Sequence, residues 1–390
     1  MVSDDILIPR FKDRSKNLVA QYDKDPRVVM TLDAGGTSFR FSATRANKLV
    51  TETMVTPSNG DNLERCLSNI INGFSHIVAK CPAPPVAISF AFPGPADYPN
   101  GIIGDQKNLP GFRGGVALGP MLEDKFGIPV YINNDADLFV YGEALAGFLP
   151  HVNRLLEKAG SSKRFKNLFG ITLGTGFGGG IVHNGELFLG DNSMAGEIWA
   201  LRNKLNPRWS AEEGASVRAV RRTYAQQAGI PLGEAPDPRV IEQIALGEAR
   251  GDRFAAIESY RRLGEVVGDA MCHALTLIDG LAVIGGNISK GHRLFLPALL
   301  AELNQICPVP SGNESQKLRR LTSVAFNLED PEQLEIFLKG ETREIAVPGS
   351  GRKIKYDSLQ RIGIGLARLD TNEAVATGAY VFALQKLDQS

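Results

Sequence analysis

The chain has 390 residues, with 43 Lys+Arg against 43 Asp+Glu and a formal net charge of zero. That balance excludes a broadly basic surface of the kind that gives nonspecific nucleic-acid affinity. Its 43% hydrophobic and 22% charged residues exclude disorder throughout.

Residues 10–25 read as a charged leader, a short helix or arm. Val28–Asp33 is an apolar strand running into Ala34-Gly35-Gly36-Thr37. Phe39–Ala43 and Lys48–Val55 follow as strands of an antiparallel meander. Leu63–Ala79 carries Leu63, Leu67, Ile70, Ile71, Phe74 and Val78 at helical spacing. Val86–Phe92 is a buried strand, Val116–Phe126 a helix, and Pro129–Asn133 a short strand that delivers Asn134 and Asp135 at its C-terminal end. This order predicts a mixed sheet with helices packed on it.

A second half starts near Ala136. Leu138–Ala146 is helical, with Gly147 as its stop. Leu168–Leu173 is a strand, Gly174–Gly180 a glycine-rich turn, and Ile181-Val182 the strand beyond it. His183-Asn184-Gly185 carries a hairpin signal. Asp252–Ile278 is the longest helical pattern, with Ile257, Tyr260, Val267, Met271, Leu275 and Ile278 as its buried stripe. Leu281–Ile284 is a strand leading to Gly285-Gly286-Asn287. Residues 305–360 read as an insertion with some strand character, and Glu373–Leu387 as a closing helix. Cys66, Cys81, Cys272 and Cys307 form no CxxC pair, so neither a zinc site nor a disulfide framework is expected. Met1–Lys16 has no signal-peptide h-region and no run spans a membrane, so a cytoplasmic protein without membrane partners is expected.

Glycine numbers 42 of 390, above the usual share of about 7%, and it clusters after strands. There, glycine lets backbone N–H groups close on an anion, and Thr37 and Thr175 add hydroxyls. Gly174, Gly176 and Gly179 fit a literal GxGxxG, but a strand and hairpin follow where a dinucleotide-binding turn opens a helix. No GxxxxGK[ST] occurs. Two such turns facing each other would clamp a polyphosphate.

Four segments occur in order: Asp33-Ala34-Gly35-Gly36-Thr37, Asn133-Asn134-Asp135-Ala136-Asp137, Leu173 to Gly180, and Ala195-Gly196-Glu197-Ile198. Together they resemble the ROK family of sugar kinases and repressors, from Val28 to Ser289. The resemblance implies a two-domain α/β fold of the actin-like, hexokinase-like (ribonuclease H-like) ATPase type, with mixed sheets and a cleft between domains. Residues 1–136 with the closing helix 373–390 would form the small domain, and 137–372 the large one. It implies ATP with Mg²⁺, a hexose or hexose-derivative acceptor and a homodimer. Asp135 matches the catalytic base. Asn108, Asn134, Glu197 and Glu212 match sugar contacts. Asp33, Gly35, Gly36, Thr37, Thr175 and Gly176 match the phosphate loops, and Gly285, Gly286 and Asn287 the adenosine loop.

The chain departs from the family pattern at Ala200, where the family carries a sugar-site histidine, and in lacking the zinc-binding cysteines. No structural zinc is expected, and Trp199, Leu201, Leu205 and Trp209 are expected to form an apolar plug in its place. A glucokinase-like enzyme acting on a 6-hydroxyl is the leading expectation. An N-acetylhexosamine kinase or a fructokinase are the nearest alternatives. A sugar-responsive regulator or a catalytically silent sugar-binding protein would be different classes. The 27 residues before Val28 are too few for a winged helix-turn-helix, and no nucleic-acid partner is expected.

Overall fold

The computed structural model describes residues 22, 24–35, 37–94, 96–104, 110–308 and 317–389. The chain first lays down β1 (Val28–Ala34), β2 (Ser38–Arg45), β3 (Lys48–Leu49), β4 (Met54–Pro57), α1 (Leu63–Lys80) and β5 (Pro85–Ala91). A small sheet follows, of β6 (Ala96–Asp97), β7 (Ile102–Ile103) and β8 (Val116–Ala117). Then come α2 (Leu118–Phe126) and β9 (Val130–Asn133). The first large sheet runs β3-β2-β1-β5-β9, with β4 also paired to β2. β1 is antiparallel to β2 and parallel to β5, and β5 is parallel to β9. Val28–Leu32 is buried throughout, as befits a central strand covered on both faces. The stretch expected as one strand over Lys48–Val55 is broken. Ala43 spends its carbonyl on Val50 N–H at 2.9 Å and its own N–H on Thr51 Oγ1 at 2.9 Å, which turns the chain before β4.

The second large sheet takes β10 (Leu168–Leu173), β11 (Phe177–His183), β12 (Glu186–Leu187), β13 (Leu281–Gly285), β16 (Val324–Asn327) and β19 (Arg361–Leu366), in the order β12-β11-β10-β13-β19-β16. The Asn184-Gly185 turn joins β11 to β12 as expected, with φ of 52° and 84°. Two ribbons lie outside this sheet: β14 (Ile306–Pro308) with β15 (Lys317–Arg319), and β17 (Thr342–Ala346) with β18 (Lys353–Asp357). The strand character expected in residues 305–360 is present in both ribbons and in β16, which forms the edge of the main sheet.

The helices between the sheets decide where the site sits. α3 (Asp135–Leu145) packs on β10 and β11, α10 (Thr371–Gln389) packs on β1, β5 and β9, and the two helices pack on each other. α4 (Phe148–Lys158) extends this central layer. α5 (Val217–Ala228), α6 (Pro238–Leu246), α7 (Arg253–Ile278) and α8 (His292–Leu303) cover the outer face of the second sheet, and α9 (Pro331–Lys339) lies beside β16 and β19. Along α7 the expected stripe is buried except at Ile257, which is 41% exposed, and at Ile278, which is half-buried. α3 begins three residues before its expected start, because Asn134 caps it and puts Asp135 in its first turn. Among the described residues no helix is long and apolar enough to cross a membrane.

Candidate active site

The C-terminal ends of the parallel strands of both sheets face one cleft of about 1150 Å³, where open α/β sheets bind their ligands. Asn134, Asp135, Thr175, Gly176, Glu197, Glu212, Gly286 and Asn287 all line it. An adjoining cavity of about 440 Å³ shares Pro93, Asp135, Thr371, Asn372 and Val375 with the cleft and adds Asp33 and Arg40. Gly35 and Thr37 belong to the turn after β1, where Gly35 N–H donates to the Ser38 carbonyl at 3.1 Å, and line neither cavity. Gly285 also stays out of the lining. Any Cβ on it would fall 2.4 Å from the Phe139 ring, so its role is packing. Asn108 and Gly36 lie outside the described residues.

Asp135 owes its position to α3. The Ala136 N–H donates to Asn134 Oδ1 at 2.8 Å and to Asp135 Oδ1 at 2.9 Å, and Asp135 lines the cleft. Asn134 also hydrogen-bonds Tyr98, whose hydroxyl donates to the Phe92 carbonyl at 2.9 Å. The cleft reaches Asp135, yet protein crowds it. Burial raises its carboxyl above the usual carboxylate range, against the opposing pull of the Ala136 N–H and its own N–H. Burial likewise raises Asp33, and Arg40, its cross-strand neighbour, pulls it back down.

The glycine run after β10 divides into two jobs. Only Gly174–Gly176 is a loop, closed by Gly174 N–H on the Gly176 carbonyl at 3.0 Å. Gly178, Gly179 and Gly180 are already strand β11. A Cβ on Gly178 would lie 2.9 Å from Ala136 Cβ, and one on Gly180 3.0 Å from the Ala136 carbonyl oxygen. These glycines let the first turn of α3, with Asp135, settle onto the sheet. On the other face a Cβ on Gly179 would lie 2.6 Å from the Gly196 carbonyl, so the Glu197 loop settles there too. Gly286, at φ +85°, makes the turn after β13, where a Cβ would come within 2.3 Å of the Leu173 carbonyl oxygen.

The expected apolar plug does not form. Trp199, Leu205 and Trp209 are 44%, 47% and 43% exposed. Polar bonds hold the segment instead. Buried Asn203 accepts the N–H groups of Leu205 and Asn206 on Oδ1 at 2.9 and 3.1 Å, and its own N–H donates to the Trp209 carbonyl at 3.0 Å. Arg222 lies over the Trp209 ring, 4.7 Å from its centroid. Ala200 is exposed and away from the cleft, whereas Trp199 lines it and donates its indole N–H to Glu197. Sequence reasoning missed Asp370, Thr371 and Asn372, which line the cleft where β19 passes into α10. Their only sequence signal is an Asp-Thr-Asn run before a helix, which reads as a cap.

Comparison with known proteins agrees with this geometry. The ROK family model matches residues 29–319. The N-acetyl-D-glucosamine kinase of Photobacterium profundum is 28% identical over 302 residues, 71% of this chain and 91% of that protein. The glucokinase of Halalkalibacterium halodurans is 32% identical over 293 residues, 70% of this chain and 84% of that protein. A crystal structure of glucokinase from Parabacteroides distasonis is 51% identical, with a TM-score of 0.84, covering 93% of this chain and 99% of that one. With the actin-like ATPase fold, both glycine turns and the cleft carboxylates in place, the chain belongs to the ROK family.

Proposed function

We propose that this protein is an ATP-dependent hexose kinase that transfers the γ-phosphoryl group to the primary 6-hydroxyl of its sugar. It is a carbohydrate kinase of the ROK family, and the names of its relatives point to glucose and N-acetylglucosamine as acceptors. The half-identical glucokinase structure covering nearly the whole chain favours glucose.

One observation carries the mechanism: Asp135 stands at the start of α3, in a cleft whose walls carry the Gly174–Gly176 loop and the Glu197 and Glu212 carboxylates. Phosphoryl transfer needs positioning and charge balance more than covalent help. In this reading Asp135 Oδ2 accepts the proton of the 6-hydroxyl as that oxygen attacks the γ-phosphorus in line. The new O–P bond forms as the bond to the β-phosphate oxygen breaks, and ADP leaves. A base above the ordinary carboxylate range suits this step, because its proton affinity moves nearer that of the developing hydroxyl proton. Asn134, Glu197, Glu212 and Asn108 orient the sugar. Backbone N–H groups at Gly36 and Gly176 and the hydroxyls of Thr37 and Thr175 hold phosphate, with Gly35 shaping its turn through its bond to the Ser38 carbonyl, and Gly286 and Asn287 flank the adenosine, with Gly285 packed on Phe139 behind them. The Asp33 carboxylate, which lines the adjoining cavity, would face Mg²⁺ carried by the nucleotide, and the metal would supply charge neutralisation on the phosphates.

Residues 1–136 with the closing helix, and 137–372, form the two domains in this reading, supported by one large sheet in each. The enzyme is a cytoplasmic homodimer without structural zinc, and four free, buried or half-buried thiols support a reducing compartment. An ADP-release assay across glucose, mannose, fructose and the N-acetylhexosamines tests the activity. Wild type should release ADP with at least one hexose. Asp135→Asn should lower kcat by about 10²–10⁴-fold and leave the sugar KM within a few-fold. A flat wild-type screen would replace this reading with a silent sugar-binding protein.

A further inference from the structure

Glu212 stands among the sugar-side carboxylates, yet both of its oxygens are already engaged. Oε1 accepts from Arg218 Nη2 at 2.6 Å, and Oε2 accepts the Phe177 backbone N–H at 3.1 Å. Phe177 opens β11 directly after the Gly174–Gly176 loop. Any Cβ on Gly176 would sit 2.8 Å from the same Oε2, so the loop closes down on this carboxylate. A second tie fastens the other end of the loop, where Val217 N–H, at the start of α5, donates to the Gly174 carbonyl at 2.9 Å. Loop 174–176 and segment 211–218 are thus joined at two points.

Arg218 is itself held. Its Nε and Nη2 donate to Glu213 Oε1 at 3.0 and 2.7 Å, and Arg222 Nη1 donates to Glu213 Oε2 at 2.9 Å. Arg222 stacks on Trp209. Arg218 first, then Arg222, holds the Glu213 carboxyl below its usual range, so its pairs with both arginines stay charged at neutral pH. Trp209, Arg222, Glu213, Arg218 and Glu212 therefore form one train ending on the Phe177 N–H.

We propose that Arg218 is a positioning residue and that, through it, Glu212 is a strut linking the sugar wall to the second phosphate loop, so that sugar and nucleotide bind with coupled affinities. This rests on the kinase reading, which puts the sugar against Glu212 and phosphate against the loop. A carboxylate oxygen has two acceptor sites, so a sugar hydroxyl can join Glu212 without displacing the Phe177 N–H. Fixing Glu212 then orders the loop before nucleotide arrives, and the second ligand meets a smaller ordering cost. The coupling is positive, and linkage makes it reciprocal.

Calorimetry with a non-hydrolysable ATP analogue, with and without saturating glucose or N-acetylglucosamine, tests this. In wild type one of these sugars should tighten the analogue about 10-fold, within the usual range of coupling. Arg218→Met, on an exposed helix position, should bring that ratio to about 1. Glu213→Gln, which loosens Arg218 without touching Glu212, should give an intermediate ratio. A purely structural role would weaken both ligands and keep the ratio. An undiminished ratio in Arg218→Met, or a wild-type ratio of 1 with both ligands bound, overturns the strut. If wild type binds analogue but releases no ADP with any sugar and binds none, the kinase reading fails first and the strut with it.

Discussion

Asp137 lies two residues beyond the proposed base and has a different problem. It is 3% exposed, its Oδ1 has no hydrogen-bond partner among the described residues, and it packs against Gly180 of β11. Burial first, then the charges of Glu197 and Asp135, push its carboxyl well above the usual carboxylate range. The folded chain thus keeps a proton that the unfolded chain loses. Between the ordinary value and the raised one the folded state binds more protons, so this residue's contribution to stability falls as pH rises. Asp137→Asn cannot ionise and escapes that loss. Its stability relative to wild type should improve by about 1.4 kcal/mol per pH unit across the window, on top of whatever constant offset the amide introduces. Urea unfolding of both proteins at several pH values between 4 and 8 measures this directly. Parallel pH profiles would mean that Asp137 ionises as freely folded as unfolded.

The crossing of α3 and α10 carries Asp135 at one end and Thr371 and Asn372 at the other, all on the cleft. Two glycines set its closeness. A Cβ on Gly142 would lie 2.0 Å from the Ala374 carbonyl oxygen, and one on Gly378 2.2 Å from that of Leu138. Both obstacles are backbone, so neither rotamer change nor local repacking relieves them. Gly378→Ala gains about 1 kcal/mol of helix propensity, but overpacking of a tight contact costs about 1–3 kcal/mol or more, and here the helices must part. The variant should lose at least about 1 kcal/mol in urea unfolding and show a reduced kcat, because α3 moves with its base; a stabilised, fully active variant would refute the crossing. This contact was invisible in the sequence, where Gly142 and Gly378 sit inside helical patterns without a partner in view. The strands were plain, because β1, β5, β10 and β13 are mostly apolar runs, interrupted only by Thr31, Asp33, Ser89 and Thr172. The helices α4, α5 and α8 were not. Pro150 in the first turn of α4 looks like a breaker, though that turn has no hydrogen bond to lose. α5 buries only Ala219, Val220, Tyr224 and Ala225 amid three arginines, and α8 contains Pro297. For the site, residue type and order revealed Asp135, but could not separate the loop glycines 174–176 from the packing glycines 178–180, since both follow the same apolar strand.

The two large sheets share one plan. In each, the first three strands form an antiparallel meander, and two later strands add in parallel beside the first: β3-β2-β1-β5-β9 and β12-β11-β10-β13-β19. Each sheet adds one strand of its own to this plan: β4 on β2 in the first, and β16 beyond β19 in the second. The likeness of the Asp33–Thr37 and Gly174–Gly180 turns was the one trace of this plan in the sequence; nothing else repeats there, because packing faces tolerate many apolar residues. Facing the two sheets across α3 and α10 leaves the cleft between them. That cleft, at about 1150 Å³, exceeds the roughly 300–1,000 Å³ of ordinary ligand pockets, while in-line transfer needs reacting atoms about 3–3.5 Å apart. Ligands touching both walls should therefore draw the sheets together about the crossing, where the chain passes from one half to the other at Asn134–Asp135 and again between β19 and α10. Small-angle scattering should give a smaller radius of gyration with glucose and a non-hydrolysable ATP analogue together than with either alone. Gly378→Ala, with its crossing wedged open, should close less. An unchanged radius with calorimetrically confirmed binding of both ligands would mean that the cleft is already in its working geometry, and that the strut from Glu212 to Phe177 acts within one rigid body.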